Sequence, residues 1–88
     1  MINVAPVTLN SILRRVQLEG ITVAFAVPNE LELKLIKHRV GLSNKNVVCT
    51  VYDHIQEIKA DYVVVLFAEQ FFGITLAPEV LFVHGELQ

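Results

Sequence analysis

The sequence predicts an α/β domain: a small, mostly parallel sheet of three to four strands in the order αβαβ(α)ββ, with helices at about 9–19 and 30–40. Three observations lead there. The runs ITVAFAV (21–27), NVVCTVYD (46–53) and DYVVVLFAEQ (61–70) are apolar or β-branched over most of their length. Strands of that kind are buried on both faces, the pattern of parallel sheets. An amphipathic stretch precedes the first run, and a capped, charged stretch fills the gap to the second, where parallel neighbours require a crossover. With 88 residues there is material for one core and one domain, 1–88, just under the roughly 100–200 residues of a typical domain.

In TLNSILRRVQLEG, Leu9, Ile12, Leu13 and Val16 recur at i, i+3, i+4 and i+7 and share one helical face, while Asn10, Arg14, Arg15 and Gln17 take the other. Thr8 can cap the start and Gly20 can supply a left-handed stop. A helix over about 9–19 follows.

The segment NELELKLIKHRVGL (29–42) has two faces to its pattern. Its opening alternates charge and leucine as a half-buried strand would. Its ends are those of a helix. Asn29 with Glu32 three residues on makes a capping box; Glu30 and Glu32 lie where the helix dipole is positive, and Lys37, His38 and Arg39 where it is negative. Gly41 supplies a stop, with Leu42 placed to fold back on Ile36. A strand would put Ile36 and Val40 on the face that Glu30 and Lys34 make polar, so the helix prevails. It is a helix with two apolar sides: Leu31, Leu35 and Leu42 together, and Leu33, Ile36 and Val40 nearly opposite. One side suits the sheet, and the other asks for a second helix, from the same chain or another subunit.

Between the second and third runs, Ile55 and Ile58 in DHIQEIKAD suggest one or two helical turns of a short crossover, with a hairpin as the alternative. A fourth apolar run, 80–84, opened by Pro78 and closed by Gly85, reads as an edge strand. Phe71 and Phe72 beside Gly73 form a conspicuous apolar loop.

Composition bears on partners. Hydrophobic residues make up 53% of the chain and charged ones 18%, whereas a domain this small buries only roughly 60–65% of the surface its unfolded chain exposes. Apolar surface is left over, and a homo-oligomer, most simply a dimer, would cover it; Leu31, Leu35, Leu42, Phe71 and Phe72 are the expected interface. A further protein partner is compatible with the same surface. The net charge of −2 with scattered basic residues argues against nucleic acid. A single cysteine, Cys49, and the lack of a charged head, apolar run and cleavage site in the first twenty residues point to the cytoplasm. The longest apolar runs fall well short of the ~20 residues that span a bilayer, so no membrane span is expected.

Of the chemistry-bearing patterns, the glycine-rich phosphate loop is missing after the first strand, which continues Val27-Pro28-Asn29-Glu30. Cys49, His38, His54 and His84 are dispersed without zinc spacing. No cofactor, metal or catalytic residue is assigned. The strand–helix–strand–short helix–strand order is similar in outline to the flavodoxin-like phosphocarriers of the IIB class and to response-regulator receivers. The first resemblance implies a cysteine just after the first strand, where Val27-Pro28 stands; the second implies an aspartate ending the third, where Phe67-Ala68-Glu69 stands. What survives is position: strand ends in open α/β sheets bind ligands, and here they carry Asn29 and Glu30, Asp53 and His54, Glu69 and Gln70, with Asp53 also placed to cap a short helix. The expected function is a non-enzymatic interaction or regulatory module that self-associates; the alternative is a ligand- or metal-binding domain or enzyme built on those strand ends.

Overall fold

The computed structural model describes residues 2–4, 9–40, 45–72 and 79–83. Thr8, Gly41, Leu42, Gly73, Pro78, His84 and Gly85, and the caps, turns and contact expected of them, lie outside the described residues. In chain order come β1 (Ile2–Val4), α1 (Leu9–Glu19), β2 (Val23–Val27), α2 (Glu30–Val40), β3 (Val47–Val51), a 3₁₀ helix (Tyr52–Glu57), β4 (Tyr62–Leu66), a short 3₁₀ turn (Ala68–Gln70) and β5 (Glu79–Val83). Both predicted helices stand, with the boundaries read from their caps.

The sheet has five strands in the order β1-β5-β4-β2-β3, every pair parallel. The expectation of a largely parallel α/β core therefore holds, with one strand more than foreseen. β1 spans three residues, too few to show a period, and it forms because β5 offers an edge: Ile2 registers with Val80 and Val4 with Phe82. That corrects the reading of the last strand. β5 is interior, between β1 and β4, and the edges belong to β1 and β3. β3 and β4 flank β2 and both run parallel to it, so 52–61 is a crossover and the hairpin alternative falls.

The chain travels from β1 through β2 to β3, then turns back through β4 to β5. If each crossover keeps the same right hand, reversing the direction of travel moves the connections to the opposite face. The packing agrees. Ile12 and Val16 of α1 and Ile36 of α2 join Val23, Phe25, Val27, Val51, Tyr62, Val64 and Leu66 in one cluster; Tyr52 and Ile55 of the 3₁₀ helix join Ala24, Ala26, Val63, Val65 and Val80 in another. The alternation of Phe25 between Ala24 and Ala26 explains the asymmetry: β2 turns its larger side chains to the α-helices, and its alanines let the 3₁₀ helix lie close to the sheet.

Local chemistry fixes the element ends. Gly20 has φ +65° and donates its N–H to the Val16 carbonyl at 3.0 Å, the single-bond left-handed helix stop. Asn29 Oδ1 accepts the Glu32 N–H at 2.9 Å, which starts α2. At the amino end of the sheet, Asp61 ties β4 to β2: its carboxylate accepts the Thr22 N–H at 2.9 Å, and its own N–H donates to the Thr22 carbonyl at 2.9 Å. The Arg15 guanidinium lies 4.9 Å above the Tyr62 ring and pairs with Glu19 at 2.7 Å, holding α1 over the sheet. Glu19's carboxyl is held below its ordinary range by that hydrogen bond.

Candidate functional site

Connections leave the carboxyl ends of β2 and β4 in opposite directions, β2 toward β3 and β4 toward β5. Such a reversal opens a crevice above the sheet, the customary ligand position in open α/β folds. A cleft lies there, lined by Val27, Glu32, Leu35, Ile36, Arg39, Leu66 and Phe67. Its walls are mainly apolar, with Glu32 and Arg39 as the charged groups. The cavity volume is about 20 Å³, enough for about one water, whereas metabolite sites take roughly 300–1,000 Å³. The cleft suits a side chain laid in from outside better than an enclosed small molecule.

Phe67, on its floor, is the one described residue other than glycine with positive φ (φ 57°, ψ 50°). That conformation costs an ordinary L-residue about 1–2 kcal/mol, so its surroundings must impose it. Three contacts do. The phenyl ring is half-buried against the helix-side core; the Phe67 carbonyl accepts the Gln70 N–H at 2.8 Å; and the Tyr52 hydroxyl is shared between the carbonyls of Leu66 and Phe67, 2.9 Å from the latter. Tyr52 is itself fixed by Phe71, whose ring meets it edge-on at 4.9 Å and 88°. Burial, and then the nearby charge of Glu69, raise the Tyr52 phenol far above its ordinary value. It therefore remains a donor.

The topology places the six strand-end candidates along the carboxyl end of the sheet, since β3, β2 and β4 are parallel neighbours. All six are exposed. Asn29 is the cap of α2, and Glu30 sits in its first turn. Asp53 does not cap the 3₁₀ helix: that helix begins one residue earlier, at Tyr52, and Val51 before it makes no side-chain cap bond. His54 Nδ1 pairs with Glu57 at 2.8 Å, both exposed. Glu69 and Gln70 lie in the short turn after β4. Among the described residues, no three of His, Cys, Asp and Glu are grouped so as to hold a metal ion.

Of the expected interface residues, Leu31 is 67% exposed, Leu35 52% and Phe72 78%, whereas Phe71 is half-buried against Tyr52. The two sides of α2 are as read: Ile36 is buried and Leu33 and Val40 pack on the core, while Leu31 and Leu35 face outward. Leu18, at the end of α1, is 76% exposed and had given no distinct signal. Cys49, half-buried on β3, has its thiol pushed up to about 11 by burial, partly offset by Lys37.

Sequence reasoning did not find Tyr52, Phe67 or Arg39 as parts of a site. Tyr52 follows an apolar strand, and its hydroxyl could have been flagged as a buried group in need of an acceptor. Phe67 carried no signal, because a left-handed turn would suggest glycine or asparagine.

The fold and cleft thus define an all-parallel α/β domain with an apolar groove beside its second helix. No family model, curated protein or solved structure matches the chain. Among the described residues, no helix is long and apolar enough to cross a membrane.

Proposed function

We propose that the protein is a non-enzymatic interaction module that self-associates and, in that form, binds or regulates another protein. The observation that carries this reading is the exposed ridge of Leu31 and Leu35 on α2, 67% and 52% accessible, beside the apolar cleft. Residues four apart on a helix are neighbours, so the two leucines form one patch. Covering each stabilises by about 1–1.5 kcal/mol, given roughly 1.5–3 for a fully buried leucine. Four leucines across two copies contribute about 4–6 kcal/mol, against an association cost of about 4–15. The expected association is weak and concentration-dependent. Light scattering coupled to size exclusion, from low to high micromolar protein, should show a mass rising from monomer toward dimer; a monomer mass throughout overturns the reading.

A second reading, a ligand site at the strand ends, is favoured by one observation: the cleft lies at the reversal of strand order and contains a left-handed Phe67, and strained residues of this kind concentrate at functional sites. Titration with Mg²⁺ and phosphorylated metabolites, followed by amide shifts at Asn29, Asp53, His54, Phe67 and Glu69, tests it. Unmoved resonances at all five would remove it.

A further inference from the structure

The self-association proposed above leaves open which surfaces meet, and the charge pattern of α2 bears on that. Glu30 and Glu32 occupy its first turn, Lys37, His38 and Arg39 its last, and Leu31 and Leu35 face outward between them. Seven residues at about 100° each return to within about 20° of the starting direction, so Glu32 and Arg39 stand on the same flank of the helix, two turns apart. Both line the cleft, together with Leu35.

Resting on that reading, we propose that α2 pairs antiparallel with α2 of a second copy, about a twofold axis near Leu35, so that each Glu32 faces the other copy's Arg39. A twofold interface is self-complementary, each contact occurring twice. In antiparallel helices like flanks face each other, and an axis between positions 35 and 36 sets level 32 against level 39. The leucine ridges then meet at the centre. A parallel pairing would instead set acidic turn beside acidic turn and basic beside basic, and would align rather than oppose the helix dipoles. Lys34 and Lys37 share the other flank and come level in the antiparallel pair; they are exposed, and long side chains there can carry their charge out into water.

Charge reversal tests the arrangement on the full chain. Glu32→Arg places two like pairs in the homodimer, and so does Arg39→Glu; each variant should self-associate at least tenfold more weakly than the natural chain. Mixed in equal amounts, they regain both opposite pairs and should form a heterodimer of near-natural affinity. The double variant Glu32→Arg/Arg39→Glu should dimerise alone. Leu35→Cys, near the axis, should cross-link rapidly between copies under mild oxidation; it leaves the helix charges untouched, which keeps the test open if a charge variant folds poorly. A natural chain that stays monomeric overturns self-association itself. A natural dimer whose affinity ignores both reversals, with no rescue on mixing and no cross-link at Leu35→Cys, overturns the α2 pairing alone and moves the interface elsewhere, the open edge of β3 being one place for it.

Discussion

The Tyr52 hydroxyl lies 2.9 Å from the carbonyl oxygen of Phe67, fifteen residues on, and shares itself with the carbonyl of Leu66. This bond joins the 3₁₀ helix after β3 to the turn after β4 across the carboxyl end of β2. Tyr52→Phe keeps the ring and its edge-on contact with Phe71 but leaves the Leu66 carbonyl without this donor. The expected loss is about 1–2 kcal/mol, or roughly 4–15 °C in Tm for a domain of this size. Thermal melts measure it, and an unchanged Tm would show that the phenyl packing of Phe67 holds the turn unaided.

Alkaline pH should destabilise the fold. Tyr52 and Cys49 both keep their protons to higher pH when folded than when unfolded. Above the ordinary thiol value of about 8.5, and again above the phenol value of about 10, the unfolded chain releases protons that the folded chain retains, so stability falls as pH rises. The Cys49 contribution is lost between about 8.5 and the folded value of about 11. Denaturation curves at stepped pH should show the decline, with Tyr52→Phe removing the part that begins near pH ~10.

The same shift makes Cys49 a slow thiol. With its value at about 11, only about 0.1% is thiolate at pH ~8, against about a quarter for an ordinary cysteine. Iodoacetamide should alkylate the folded protein more than a hundredfold slower than the urea-unfolded chain. Comparable rates would mean that the thiol is neither buried nor shifted.

Two caps carry defined weights. Asn29→Ala removes the acceptor for the Glu32 N–H and should cost about 1 kcal/mol. Gly20→Ala meets nothing within 4 Å, so its cost is the left-handed backbone alone, about 1–2 kcal/mol. Urea titrations of both variants check the figures; a neutral Gly20→Ala would show that the end of α1 readily takes another conformation.

The two sides of α2 should answer differently to truncation. Ile36→Ala opens the core and should cost about 2–4 kcal/mol, while Leu35→Ala, half-exposed, should leave monomer stability within about 1 kcal/mol and weaken self-association. Equal stability losses would mean that α2 does not divide into a core side and a free side.

Much of this was legible beforehand because it rests on local chemistry. Residues 29–40 alternate like a strand, yet Asn29, the acidic first turn and the basic last turn settle a helix, since these groups act within one turn of the chain. Buried runs such as 62–66 announce a parallel sheet for a similar reason: a strand covered on both faces has no polar face to show. The strand-end candidates do share the carboxyl end of the sheet, but Asn29 is engaged as a cap and His54 with Glu57, because topology orders strands and does not aim side chains.

The amino-acid order alone determined the two α-helices and the two-sided character of α2, each encoded within a window of a dozen residues or fewer, and the α/β class and parallel habit of the sheet, which several such windows announce together. Only the tertiary structure decided that residues 2–4 complete the sheet, that β5 is interior, that a crossover rather than a hairpin joins β3 to β4, that Phe67, Glu32 and Arg39 line a cleft, and that Tyr52 holds the turn at Phe67. Those features depend on pairing between segments distant along the chain, and β1 shows the reason most plainly: three residues become a strand because β5, more than seventy residues later, leaves an edge of unpaired backbone groups for them to satisfy.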